Sequence, residues 1–231
     1  ATSTSLTGLN LGGNNFTDVG VAHLANAVTN STSLRVLNLA GNQIMDAGAT
    51  ALAEAVAKCP SLSTLLLRNN KITDAGASKL AKAVAKTLSL TTLWLSGNQI
   101  TDKGVSKLAA AVKKSASLTE LWLGADTITD AGMTKLSAAL LRSAKVEGIY
   151  MADSRATRRG MEALQAAHAA IRAIRPTVWL LGHPLPTVVG KLTAHRFLLE
   201  RDGDHAVWYR VMEFLAEGNK FVGLPESVRW R

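Results

Sequence analysis

Cysteine is almost missing from this chain: Cys59 is the only one in 231 residues. No internal disulfide framework can form, so a reducing intracellular compartment is expected, either the cytoplasm or a host cell entered by an effector. Long hydrophobic runs are missing too, and none approaches the roughly 18 residues needed to span a bilayer. The five histidines (His23, His168, His183, His195, His205) show no metal-ligand spacing. Asp202-Gly-Asp204-His205 lacks the remaining oxygen ligands of a calcium loop and reads as a turn. Cys59 precedes Pro60 with no evident activating base, and no glycine loop for phosphate stands apart from the pattern described below. The expectation is a non-catalytic protein with no metal and no cofactor.

Acidic residues are outnumbered, and the formal charge is +9. That excess invites a nucleic-acid reading, but it is spread along the chain: 14 basic against 10 acidic residues in 1–154, and 12 against 7 beyond. Lys79, Lys82, Lys86, Lys107, Lys113 and Lys114 fall in stretches that read as helix, where they would solvate an outer face.

What is present is one pattern repeated at an offset of 28. Leu90, Leu93, Leu95, Asn98, Ile100, Asp102 and Gly104 recur as Leu62, Leu65, Leu67, Asn70, Ile72, Asp74 and Gly76. Earlier copies start at Leu6 and Leu34, a later one at Leu118, and a decayed sixth at Val146. Six copies at one offset mean a stack of equal structural units. The pattern resembles the leucine-rich repeat family over residues 1 to about 180, and its 28-residue period is similar to the ribonuclease-inhibitor-like type.

Each copy opens with Leu-x-x-Leu-x-Leu, whose leucines alternate inward at the period of a half-buried strand. The resemblance implies that Asn14, Asn42, Asn70 and Asn98 form a ladder of side-chain amides bonded to loop backbone. An apolar plug follows, then an Asp suited to N-capping, a Gly and a helix. Val21/Leu24/Val28 and Val105/Leu108/Val112 show the i, i+3, i+7 spacing of an inward helix face. The fold class is α/β: a curved solenoid, parallel sheet inside and helices outside, with a helical C-terminal cap. Residues 1–181 form the array, six repeats plus a seventh strand at Thr177–Leu180 with Val178 and Leu180 inward. Residues 182–231 form the cap, with helices at 188–200 and 206–217 and a tail from Phe221. Ser3-Thr-Ser-Leu6 copies Ser31-Thr-Ser-Leu34, so residue 1 falls inside a repeat, the N-terminal cap is missing, and that open end can associate with another chain.

Departures cluster late. Asp126 and Ser154 replace the ladder Asn, Arg158 replaces the Asp beside Arg155 and Arg159, and His168 enters the inward helix column. Either the sixth repeat is adapting to its cap, or the arginines form an anion-binding cluster at a rim loop.

The residue between the last two leucines of each strand points out of the core. That column reads Asn10, Asn38, Leu66, Trp94, Trp122, Tyr150 and Trp179, so three of the five tryptophans share it. Strands about 4.8 Å apart would align them into one stripe, bordered by Arg35, Arg68, Thr92, Thr119, Glu120, Glu147 and Asp153. An apolar centre with a charged edge is the anatomy of a protein interface. The expected function is recognition of a protein or peptide on the concave face, within a larger receptor, effector or regulatory protein. The alternatives are self-coverage by the tail, a basic solenoid binding nucleic acid, or a module that regulates a GTPase, the last by analogy of repeat type alone.

Overall fold

The computed structural model describes residues 4–124, 127–151 and 155–180, with side chains to residue 172. The chain divides into two compact units, Ala1–Ile171 and Arg172–Arg231. The cap expected at 182–231, with its helices at 188–200 and 206–217 and the tail from Phe221, lies outside the described residues, as do Asp126 and residues 152–154.

Six strands alternate with six helices: β1 Gly8–Asn10, α1 Asp18–Thr29, β2 Val36–Asn38, α2 Asp46–Lys58, β3 Thr64–Leu66, α3 Asp74–Val84, β4 Thr92–Trp94, α4 Asp102–Lys114, β5 Glu120–Leu123, α5 Asp130–Arg142, β6 Gly148–Met151 and α6 Arg158–Leu180. The strands form one sheet in sequence order. Every pairing is parallel and joins equivalent positions, as in Leu9↔Leu37 and Leu65↔Leu93. This is the expected α/β solenoid. Helices need 8–10 Å of lateral room and strands about 4.8 Å, so the stack bends toward its sheet, whose outer surface is concave. The core lies between the layers: Leu37, Leu65, Leu93 and Leu121 from the strands, with Ala49, Leu80, Leu108 and Met133 from the helices, are fully buried.

Two side-chain ladders tie the turns together. The Asn70 amide donates to the carbonyls of Leu39 and Leu67, both at 3.0 Å, and its oxygen accepts from the Ile44 N–H at 3.1 Å. Asn42 and Asn98 repeat this arrangement. The ladder inferred from the resemblance is therefore present where the residues are described.

The second ladder corrects the expectation for the aspartates. The N-caps of α3, α4 and α5 are Thr73, Thr101 and Thr129, each accepting an N–H two residues on. The aspartates occupy the first helical position and reach across to the next turn. Asp46 accepts from the Thr73 N–H (2.8 Å), the Thr73 hydroxyl (2.6 Å) and the Gly76 N–H (2.9 Å). Three bonds to a carboxylate outweigh the single bond of a self-cap. The glycine is required because a Cβ on Gly76 would lie 2.6 Å from Asp46 Oδ1.

Burial pushes the Asp46 carboxyl up, but the Thr73 hydroxyl, the Thr73 N–H and the Gly76 N–H together hold it below the usual aspartate value of 3.8. A depressed folded pKa gives stability that is present above the unfolded value and lost as pH falls through the folded one. Urea midpoints measured against pH should therefore drop below about pH 4. In Asp46→Asn the midpoint should be lower at neutral pH and the acid decline shallower. An unchanged acid limb would refute the assignment.

The seventh strand is not formed. Residues 177–180 belong to α6, which runs from Arg158 to Leu180. Earlier helices stop at a Ser-x-Ser-Leu or similar turn, such as Ser31-Thr-Ser-Leu34. After His168 the chain reads Ala-Ala-Ile-Arg-Ala-Ile, rich in helix formers and without that turn, and α6 continues beyond it through Arg175-Pro176. Consequently β6 is the last strand paired among the described residues. Its Ile149 N–H donates to His168 Nε2 at 2.9 Å, so His168, half-buried, serves the sheet rather than filling the core as valine does in the equivalent column.

Candidate functional site

The strand register creates the site. Asn10↔Asn38, Asn38↔Leu66, Leu66↔Trp94, Trp94↔Trp122 and Trp122↔Tyr150 are direct partners across successive strands. The Trp94 and Trp122 rings lie 4.9 Å apart, and the Trp122 and Tyr150 rings 4.1 Å apart and stacked at 24°. Those distances match the spacing of the strands that carry them. The stripe read from sequence is a continuous stack on the concave face, and all three rings remain half-buried.

Both ends of the stack are covered. The Arg68 guanidinium sits 5.4 Å from the Trp94 ring centre, a cation–π contact. The His168 ring lies 6.0 Å from Tyr150. Each indole N–H is held by the side chain two residues away on the same strand face. Trp94 Nε1 donates to Ser96 Oγ at 2.7 Å, and Trp122 Nε1 to Glu120 Oε2 at 3.1 Å. These contacts fix both indole orientations before any ligand arrives. The i, i+2 pairs Trp94/Ser96 and Glu120/Trp122 were visible in the sequence as same-face neighbours. The clasp they make and the closure by His168 were not.

Of the other expected site residues, Leu66 adjoins Trp94 in register and is half-buried, and Arg35 and Glu147 are exposed beside the strands. Asp153 lies outside the described residues. Trp179 leaves the column, because its backbone is in α6 and no seventh strand carries it. Of the arginine cluster, Arg158 Nε pairs with Glu162 Oε1 at 2.9 Å along one turn of helix, Arg158 largely exposed and Glu162 less so. Cys59 is buried with its thiol 3.4 Å from the Ser31 carbonyl, a packing role.

Among the described residues no group of His, Cys, Asp and Glu is placed to hold a metal ion. No helix among them is long and apolar enough to cross a membrane.

Comparison with known proteins bears on this geometry. A model of paired leucine-rich repeats matches residues 32–82, and a single leucine-rich repeat model matches residues 2–25 and 88–109. No curated protein matches the sequence. Among solved structures, leiomodin-1 actin-binding site 2 is similar with a TM-score of 0.52 at 20% identity, covering 59% of this chain and 79% of that one. The tropomodulin C-terminal domain of Caenorhabditis elegans is similar with a TM-score of 0.50 at 16% identity, covering 78% and 92%. At such identities the likeness is one of fold. The chain carries leucine-rich repeats over the segments those models match, and its described array has the leucine-rich repeat fold.

Proposed function

We propose that the chain is a non-catalytic recognition scaffold of the ribonuclease-inhibitor-like repeat type, binding a protein or peptide across the concave stack of Trp94, Trp122 and Tyr150. The carrying observation is the direction in which the rings face. Each lies against its neighbour along the array, so the ring edges, not the faces, are turned to the concave space. A nucleic-acid base binds by stacking on a free aromatic face, and here the faces are taken by Arg68, by one another and by His168. Aliphatic side chains and backbone carbonyls are the groups that suit ring edges, which carry the positive part of the quadrupole. A polypeptide supplies both.

Orientation locked by Ser96 and Glu120 also favours affinity, since little rotamer freedom remains to be lost on binding. Arg35 and Arg68 flank one end of the stripe, Glu120 and Glu147 the other, giving a polar rim around an apolar centre. The similar fold of leiomodin-1 actin-binding site 2, a site for a protein ligand, is consistent with a protein as the class of ligand. We place this array within a larger receptor, effector or regulatory protein.

The test is selection of peptides from a displayed random library against the whole chain, followed by calorimetry. Trp94→Ala and Trp122→Ala should each weaken a selected peptide about 30-fold, the range of aromatic hot spots. Peptides that bind the double variant as tightly as the parent would place recognition elsewhere.

A further inference from the structure

One edge of the array carries a second pattern that the concave site does not use. Where the helices end, Lys58, Lys86, Lys114 and Arg142 occupy equivalent positions in four successive turns, and all are exposed. Two residues further on, the loop tips are Pro60, Leu88, Ala116 and Ala144, also exposed, and Leu88 is 82% accessible. The residue between is buried each time, as at Thr87, so cation and apolar tip point outward together. The result is a row of cations beside a row of aliphatic tips, about 15–30 Å long given the spacing of strands and helices.

The charge on this edge is not compensated. No acidic residue occurs in 57–62, 85–90, 113–118 or 141–146, while Lys113 and Lys145 add two further exposed cations. The nearest acids in sequence are Glu54, Glu120 and Glu147. The ladder aspartates start the helices and lie at the opposite edge, about 20 Å away for a helix of this length. Among the described residues the one ion pair joins Arg158 to Glu162. Partial burial and then the positive charge of Arg142 lower the Lys113 pKa, as expected where cations crowd without an acid between them. Lysines at helix C-termini also complement the helix dipole, but the dipole does not explain a leucine held in solvent among them.

We propose that this edge docks on an anionic lipid bilayer, with Leu88 entering the headgroup boundary and the flanking cations meeting lipid phosphates and carboxylates. Aliphatic tips framed by lysines suit an interface that is apolar beneath and anionic above. Lysine stems lie along apolar surface while the ammonium stays in water. Nucleic acid is the poorer fit, because the edge has no aromatic to stack a base and the aromatics that do stack sit on the sheet. The concave face stays free for a polypeptide in this arrangement.

Co-sedimentation with vesicles of phosphatidylcholine containing phosphatidylserine, against phosphatidylcholine alone, tests the proposal on the whole chain. Binding is expected to the anionic vesicles and to weaken with salt. Leu88→Ser should weaken it about five-fold, and the Lys86→Glu, Lys114→Glu double variant about twenty-fold or more. Both changes are at exposed positions, so folding is retained. The Trp94→Ala, Trp122→Ala variant should sediment like the parent, which separates this surface from the concave site. Equal sedimentation with both vesicle types, none with either, or a Leu88→Ser variant identical to the parent would overturn the proposal. So would binding to duplex RNA in place of vesicles.

Discussion

Asn70→Ala should lower the free energy of unfolding by about 3–5 kcal/mol, more than any surface change in this array. The amide serves three carbonyls and one N–H from four different residues, and alanine serves none. Asn70 is only 7% exposed, and water does not readily replace a partner at such a site. The Ile44 N–H would be left without its partner at roughly 1–3 kcal/mol, while the Leu39 carbonyl loses one of its two amide donors and keeps that of Asn42. Asn14 provides the control within the same column. Its amide meets only carbonyls of its own loop, at Leu11 and Gly12, and it is exposed. Asn14→Ala should cost about 1 kcal/mol or less. Urea denaturation followed by circular dichroism compares them, and equal losses would mean that the ladder does not join turns energetically.

Gly104→Ala should cost about 2–4 kcal/mol, although alanine is the better helix former. A Cβ at Gly104 would lie 2.5 Å from Asp74 Oδ1 and 2.8 Å from Ile100 Cγ2. Relief moves the Asp74 carboxylate, which accepts from the Thr101 N–H, the Thr101 hydroxyl and the Gly104 N–H. Gly20 holds the same place in α1, but no ladder carboxylate stands against it, and a Cβ there meets only the Phe16 ring at 3.1 Å. Gly20→Ala should therefore be neutral or stabilise by up to about 1 kcal/mol. Melting temperatures of the two variants should move in opposite directions or differ clearly in size. Similar shifts would show that the clash, and with it the aspartate ladder, has been misjudged.

The contrast between these glycines shows what a repeated sequence conveys. Periodicity identified the column, and a column of Asp and Gly suggested a cap and a turn. Neither residue by itself indicates that the carboxylate leaves its own helix. That depends on the next turn arriving with a Thr hydroxyl and a bare Gly N–H within about 3 Å. The strand expected at Thr177–Leu180 is a different case. Alternation over four residues suits a strand and Pro176 just ahead of it suits a helix stop, yet α6 runs on through Pro176 to Leu180, continuing the helix set up by the alanine-rich stretch before it.

By itself the sequence determined the unit, its order and its in-register stacking, because side chains recurring every 28 positions can be buried together only if the turns align. It also determined that Trp94, Trp122 and Tyr150 share a face, since strand side chains alternate with a period of two. Only the tertiary structure decided how those rings face, what clasps their N–H groups, and that His168 closes both the stack and the edge of the sheet. Those outcomes depend on rotamers and on contacts between residues 18 or more apart, which are set by the local space and not by spacing along the chain.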